Sequence, residues 1–275
     1  MRLGFNFTLG DTYDLVKRLI AEGHIDYCEY LIDNFFCVDP DELAKAFDCP
    51  IGLHVMYSRF LEADRPTLVD FAARLRDCID ATNAIYVSDH ILRFTHEGRA
   101  FFHLGEIDYS AEYEFVRDKV LEWQEIVGQR IHFENYPSIM DGGLEAPAFF
   151  ERLTKETGAG VLFDASNAVC ANRNCGTPLE AWRDVIARAQ HFHVAGYRNS
   201  MIEPFISLDT HADSLSPETV GFLENFRSVF DKPGATMTYE RDQEIEYDDI
   251  VADLKLLRNL FGEPQERRHD LAVSA

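Results

Sequence analysis

The sequence lacks paired cysteine motifs. Its six cysteines, Cys28, Cys37, Cys49, Cys78, Cys170 and Cys175, form no CxxC and no zinc-knuckle spacing. A chain of 275 residues does not need disulfides to fold, so all six are read as free thiols in a reducing cytoplasm. Basic side chains are scarce as well. Only 26 Lys and Arg stand against 48 Asp and Glu, a net charge of −22. So acidic a surface repels phosphate backbones and argues against a nucleic-acid partner. No apolar run approaches the roughly 20 residues of a membrane span. The opening Met1-Arg2-Leu3-Gly4-Phe5-Asn6 passes straight into strand-like sequence, without the apolar stretch and cleavage site of a secretory signal. Internal repeats, low-complexity tracts and domain boundaries are absent too. The expectation is one cytoplasmic catalytic domain over 1–262, followed by a polar, frayed tail over 263–275.

What the sequence does contain is a steady alternation. Eight short apolar or β-branched runs stand out: Gly4–Thr8, Tyr27–Asp33, Ile51–Met56, Ala84–His90, Arg130–Tyr136, Gly160–Ala165, His191–Gly196 and Thr236–Arg241. Amphipathic segments with helical spacing lie between them. Strands alternating with helices imply a parallel sheet, and eight such units fit a closed (β/α)8 TIM barrel. Asp39-Pro40-Asp41-Glu42, Thr177-Pro178-Leu179-Glu180 and Ser216-Pro217-Glu218 each read as a capping residue followed by proline in the first turn. A long helix is expected over Tyr109–Gly128. Two connections exceed the usual length. Ile91–Leu104 reads as a hairpin around Glu97-Gly98, laid over the barrel mouth. Tyr197–Leu215 is a long polar loop. Both are the expected sites of substrate contact, since long loops on the C-terminal face carry such contacts.

The chemistry lies where the strands end. Successive strands finish at His54, Asp89-His90, Glu134-Asn135, Asp164, His193 and Glu240, with Asn167 three residues after Asp164. In a barrel these side chains project into one mouth. Each strand is otherwise apolar, so each polar end needs a cause. Desolvating that many carboxylates together is costly unless cations neutralise them. Mixed imidazole and carboxylate donors suit zinc, manganese or iron rather than calcium. Asp209-Thr210-His211 adds a pair whose alternate side chains point the same way. His132 and His191 lie two residues deeper on their strands and read as hydrogen-bonded barrel residues. His24, His96, His103 and His269 fall in helix ends, the hairpin or the tail. Tyr57, Arg59, Tyr197 and Arg198 follow the strand ends and are weaker candidates for substrate contact.

The order His54, His90, Glu134, Asp164, His193, Asp209-x-His211, Glu240 resembles the trinuclear metal barrels of the endonuclease IV and xylose isomerase-like superfamily. That resemblance implies three sites. His54, His90 and Glu134 would hold one ion. Glu134, Asp164, His193 and Glu240 would hold a second, with Glu134 shared. Asp209 and His211 would hold a third, with Asn167 where the endonuclease has histidine. The longer motifs Val87-Ser88-Asp89-His90, Glu134-Asn135-Tyr136-Pro137-Ser138, His193-Val194-Ala195-Gly196 and Tyr239-Glu240-Arg241-Asp242 resemble the multinuclear non-haem iron-dependent oxidases (MNIO) that modify ribosomal peptides. Gly4-Phe5-Asn6-Phe7-Thr8, Phe163-Asp164-Ala165-Ser166-Asn167-Ala168 and Asp231-Lys232-Pro233-Gly234-Ala235-Thr236 are similar to the methanobactin-biosynthesis (MbnB) branch of that family. The resemblance implies two or three iron ions, dioxygen as co-substrate, a small MbnC-like partner protein and a Cys-containing MbnA-like precursor peptide. The implied reaction is a four-electron oxidation of peptide cysteine to an oxazolone with an adjacent thioamide. Glu134, Asp164 and Asp209 are the carboxylates it would place in the catalytic machinery.

Three other functions compete. A phosphodiesterase of the endonuclease IV kind is disfavoured by the acidic charge and by Asn167 in place of histidine. A sugar isomerase needs a lysine near its metals, and no strand end supplies one. A non-catalytic metal-binding subunit of the peptide pathway predicts ligands without turnover.

Overall fold

The computed structural model describes residues 1–139 and 141–262; the expected tail over 263–275, with His269, lies outside them. The strands among the described residues are β1 (Arg2–Phe7), β2 (Tyr27–Leu31), β3 (Ile51–His54), β4 (Val87–His90), β5 (Arg93–His96), β6 (Arg99–Gly105), β7 (His132–Glu134), β8 (Gly160–Asp164), β9 (His191–Ala195), β10 (Tyr197–Asn199), β11 (Ser207–Asp209) and β12 (Thr236–Glu240). Eight of them close a parallel barrel in the order β1-β12-β9-β8-β7-β4-β3-β2. Those eight coincide with the eight runs read from the sequence. The β4 run begins three residues late as a strand, yet its pairing starts earlier: the Ile85 amide already donates to the Ile51 carbonyl at 2.9 Å.

The helices are α1 (Tyr13–Ala21), α2 (Pro40–Ala46), α3 (Arg65–Thr82), α4 (Tyr113–Val127), α5 (Ala146–Thr157), α6 (Ala165–Cys175), α7 (Arg183–Arg188), α8 (Pro217–Asn225), α9 (Arg227–Phe230) and α10 (Tyr247–Phe261). They are fastened as the sequence suggests. Asp39 caps α2 through the Asp41 amide, and Ser216 caps α8 through the Thr219 amide. Gly128 ends α4 in the left-handed region at φ 86°. Two starts differ from expectation. Asp108 Oδ1 accepts from the Ser110 and Ala111 amides, so a local turn delays α4 to Tyr113. Thr177 caps nothing; it is buried, and the following turn over Leu179–Trp182 has no side-chain cap.

Outward-facing strand residues and the helices bury a continuous aromatic layer that includes Trp123, Trp182, Phe133, Phe163 and Phe230. Inside the barrel, rings take the space that small residues leave. A Cβ on Gly4 would lie 2.3 Å from the Tyr27 ring, and one on Gly52 would lie 2.7 Å from the Tyr86 ring. These two tyrosines form the floor beneath the mouth. Above it, the expected hairpin is present: β5 and β6 pair antiparallel, with Glu97 and Gly98 both at positive φ (48° and 75°), as a tight primed turn requires. The long loop after β9 folds into a second antiparallel pair, β10 with β11.

Candidate metal centre

Strand register assembles the site. His54, His90, Glu134, Asp164 and Glu240 are the last residues of their strands, and His193 sits in the middle of β9. His90 pairs with Glu134 across β4 and β7, and Asp164 with His193 across β8 and β9. Alternation turns all six side chains inward. Asp89, one residue out of phase, faces the helices instead, where it accepts from Trp123 Nε1 at 2.8 Å.

The donor atoms converge. Glu134 Oε2 lies 3.4 Å from His54 Nε2 and 3.0 Å from His90 Nε2. Glu134 Oε1 lies 3.7 Å from His193 Nδ1, which in turn is 2.9 Å from Glu240 Oε2. The donors of His54, His90 and Glu134 all lie within 4.8 Å of one another, as do those of Glu134, Asp164, His193 and Glu240. Donors that share one ion at bonds of about 2.1 Å stand roughly 3–3.4 Å apart, the spacing seen here. Glu134 belongs to both groups and presents a different oxygen to each.

Each histidine is held by its other nitrogen. His54 Nδ1 meets Ser88 Oγ at 2.8 Å, His90 Nδ1 donates to the Val55 carbonyl at 3.0 Å, and His193 Nε2 donates to Glu29 Oε2 at 2.8 Å. The nitrogens turned into the centre are thus left for a metal ion or a proton, the arrangement of metal-binding histidines. Asp164 is divided in the same way. Its Oδ1 caps α6 by accepting from the Asn167 amide at 2.6 Å, while Oδ2 is buried without a hydrogen-bond partner. Asn167 Oδ1 is likewise buried and unpartnered. His193 Nδ1 faces Glu240 Oε2 at 2.9 Å, and Asp209 Oδ1 faces His211 Nε2 at 2.9 Å. Such buried acceptors are costly without a cation or a proton among them. Ions at the two tight groups of donors would satisfy Asp164, His193 and Glu240, so these residues fit a metal cluster.

The electrostatics of the protein groups point the same way. Burial, then Glu134, Asp209 and Glu240, push the Asp164 carboxyl well above its ordinary range. Burial also raises Glu240 against the pull of His193 and His211. Burial opposes ionisation of Glu134, but His90 and His193 outweigh it and hold this carboxylate well below its usual value. His90 is disfavoured as a cation by burial, yet Glu134 prevails and raises it to about 9. Burial and the neighbouring His90 push His54 down to about 3. Carboxylates that draw protons to balance buried charge are the groups at which divalent ions compete with protons.

The Asp209-x-His211 pair also reaches the mouth. His211 Nε2 is 2.9 Å from Asp209 Oδ1 and 3.8 Å from Glu240 Oε2, and its Nδ1 is held by Asp242 at 2.8 Å. Asn167 is turned mainly toward Glu134: its Nδ2 donates to Glu134 Oε1 at 3.3 Å and to the Asn135 carbonyl at 3.0 Å. Asn167, Asp209 and His211 thus face the same cavity as His54, His90, Glu134 and Glu240 but stand beside the tighter groups.

That cavity holds about 280 Å³ and is walled by Leu31, Met56, Leu92, Leu104, Tyr136 and Ile139. Its volume is at the low end of small-ligand pockets, which run from roughly 300 Å³. No Lys or Arg is among the described residues that line it. Tyr57, Arg59, Tyr197 and Arg198 do not line it either; Arg59 pairs with Glu62, and Arg198 with Asp213 and Glu244. His191 Nδ1 meets Thr236 Oγ1 at 2.9 Å, deep in the barrel, while His132 packs on the His191 ring and its Nδ1 has no partner.

Sequence reasoning missed Glu29 and Asp242. Both hold the far nitrogen of a site histidine. The signal for Glu29 was a lone acid inside the run Tyr27-Cys28-Glu29-Tyr30-Leu31. For Asp242 it was the acid two residues beyond Glu240.

Comparison with known proteins agrees with the geometry. The family model described as "RiPP precursor modification enzyme MbnB/TglH/ChrH" matches residues 7–261. A UPF0276 protein of Rhizorhabdus wittichii is 26% identical over 253 residues, covering 88% of this chain and 89% of its own. A UPF0276 protein of Anaeromyxobacter sp. is 25% identical over 209 residues, covering 72% of each. Among solved structures, endonuclease IV from Thermus thermophilus superposes with a TM-score of 0.56 at 18% identity, covering 94% of this chain and 98% of that one. A xylose isomerase domain protein from Planctomyces limnophilus gives 0.53 at 14% identity, covering 94% of each. These two likenesses concern the fold: the barrel is xylose isomerase-like.

Proposed function

The chain belongs to the MbnB/TglH/ChrH family of RiPP precursor modification enzymes, and from that premise we propose that it is an iron-dependent oxidase of peptide cysteine in methanobactin biosynthesis. The observation that carries this reading is the convergence of two groups of buried donors, His54 with His90 and Asp164 with His193 and Glu240, on the one carboxylate of Glu134. His54, His90 and Glu134 would hold one ion. Glu134, Asp164, His193 and Glu240 would hold a second, and Asn167, Asp209 and His211 a third. Bound ferrous ions would offer open coordination positions for dioxygen and relay electrons to it; the peptide cysteine would lose four electrons and four protons to become an oxazolone with an adjacent thioamide, and dioxygen would take them up as water.

The chain's own residues supply the rest. Glu134 divides its two oxygens between two groups of donors, which keeps the sites adjacent. Glu134, Asp164 and Asp209 are the carboxylates at the reacting end. The apolar walls at Leu92, Leu104, Tyr136 and Ile139 exclude water from a cavity sized for a side chain rather than a duplex strand. We assign peptide contact to the hairpin over Ile91–Leu104 and the loop over Tyr197–Leu215. In that loop Met201 is 97% exposed and Ile202 79%, apolar surface suited to a peptide or to an MbnC-like partner. The barrel over 1–262 acts as one catalytic unit. No described helix is long and apolar enough to cross a membrane.

The phosphodiesterase reading is disfavoured by a cavity without Lys or Arg, since phosphoryl oxygens are held by such groups. The test is anaerobic purification with iron counting, followed by incubation with a Cys-containing precursor peptide, the partner protein and oxygen. Loss of hydrogen from the peptide at cysteine is expected. A zinc-only protein that nicks abasic DNA would overturn the proposal. Iron without turnover would favour a metal-binding subunit.

A further inference from the structure

Beneath the metal centre lies a buried polar chain that no strand-end pattern announces. Glu29 is 1% exposed and sits on the inward face of β2. Its Oε2 accepts from His193 Nε2 at 2.8 Å and from the Tyr86 hydroxyl. Tyr86 also reaches Thr238 Oγ1 at 3.2 Å, and Tyr27 meets that same oxygen at 2.7 Å. Glycines at positions 4 and 52 make room for these two rings. The barrel interior is thus shaped to bring one carboxylate under one imidazole.

We propose that Glu29, backed by Tyr86, is a positioning residue that fixes His193 as the Nε2–H tautomer and so aims Nδ1 at the metal centre. This inference rests on the metal reading of the site given above. A carboxylate at Nε2 accepts and cannot donate, so the ring proton is drawn to that side. Nδ1 then faces Glu240 Oε2 at 2.9 Å. A metal ion or a proton shared by the two stabilises that contact. The donors of Glu29, His54 and His193 also lie within 4.8 Å of one another, so Glu29 has a rival role as a direct ligand. The geometry favours positioning. Glu29 Oε2 already accepts two hydrogen bonds, and the carboxylate nearest His54 Nε2 among its ion-pair contacts is Glu134.

Two readings on the full chain test this. The first is ¹⁵N NMR of histidine-labelled, chelator-treated protein, which reports the ring proton's position without metal or turnover. The second is ferrous iron binding by chelator competition, with the number of ions at saturation. His193 is expected to be protonated at Nε2 in the wild type. Glu29→Gln puts an amide there that either accepts or donates, so mixed tautomers are expected. Iron affinity should fall on the order of 10–100-fold, with the saturating ion count unchanged. Tyr86→Phe should keep the tautomer and weaken iron by a few-fold. A wild-type Nε2 without its proton would overturn the proposal, as would unchanged affinity in both variants. A Glu29→Gln protein that lacks one ion at saturation would make Glu29 a ligand and also overturn it. Should Glu29→Gln fail to fold, Tyr86→Phe decides by the same affinity measurement. Wild-type protein that binds no iron would sink the metal reading itself, a failure distinct from a His193 without its proton at Nε2.

Discussion

Glu134 stands with Oε2 3.0 Å from His90 Nε2, while its other oxygen turns toward His193. One carboxylate therefore serves two groups of donors. Glu134→Ala is expected to empty both of the main sites, because each loses an anionic ligand at once. Iron per chain after desalting is the measurement. Full retention of iron would show that the two groups bind independently of this residue.

Asn167 is tied to the same carboxylate through Nδ2 at 3.3 Å, with Oδ1 buried and unpartnered. Asn167→Ala should chiefly remove the third ion. Glu134 loses one hydrogen bond, so the other two should weaken only by a few-fold. Stepwise removal of iron by a chelator resolves the three. Equal loss from all sites would mean that Asn167, Asp209 and His211 do not form a separable group.

Much of this architecture was legible because it obeys short-range rules. Eight apolar runs, most of them carrying a His, Asp or Glu at or near their end, reveal both the strands and the mouth into which they point. Asp39 and Ser216 behave as caps because their acceptors bond amides two or three residues on. Legibility fails where the partner is remote. Glu29 reads as a stray acid on β2, and its role depends on His193, which follows 164 residues later. Thr177 fails for the opposite reason: its local pattern suits a cap, but burial against Cys175 claims its hydroxyl. Asp89 and His90 illustrate alternation itself, with neighbours on opposite faces of β4 and only one in the mouth.

Trp123 and Asp89 couple the barrel to α4. The indole Nε1 donates to Asp89 Oδ2 at 2.8 Å, and both side chains are buried. Trp123→Phe keeps most of the apolar contact but leaves that oxygen without its donor. A loss of about 1–3 kcal/mol is expected from the unsatisfied group, read as a lower denaturation midpoint with little change in iron content. A variant as stable as the wild type would show that water replaces the indole.

Acid should destabilise the fold through the deep pair His132 and His191. Burial, then Arg130, holds His132 down to about 4. Burial, then His132 and Arg2, holds His191 down to about 2. The unfolded chain binds these protons near pH 6.5 and the folded chain does not, so stability is complete above about 6.5 and falls as pH drops toward 4. Each histidine contributes up to about 1.4 kcal/mol per pH unit in that window. His132→Phe removes one of the two groups, so its stability should fall less steeply between pH 6.5 and 5. Denaturation of chelator-treated protein across that range checks the slope, and parallel curves for the two proteins would refute the assignment.

Gly196 follows β9 and sets the position of the Asp209–His211 segment. Its carbonyl accepts from the His211 amide at 3.1 Å. A Cβ at position 196 would lie 1.9 Å from the Asp213 carbonyl oxygen and 2.4 Å from its carbon. Those are backbone atoms, so no side chain can swing aside, and the segment bearing His211 must move. Gly196→Ala is expected to lose the third ion and to destabilise the fold by about 1–3 kcal/mol, as overpacking does. The two main sites should keep their ions, because His54, His90, Glu134 and Asp164 stand on strands that the clash does not touch, and His193 sits in the middle of β9, held on both sides by the barrel ladder. Gly142→Ala is the control, since a Cβ there meets nothing within 4 Å and should change neither stability nor metal. The measurements are ions per chain and the denaturation midpoint for both variants. If Gly196→Ala keeps all its iron, His211 is not held by this contact, and the third site does not depend on the loop's placement.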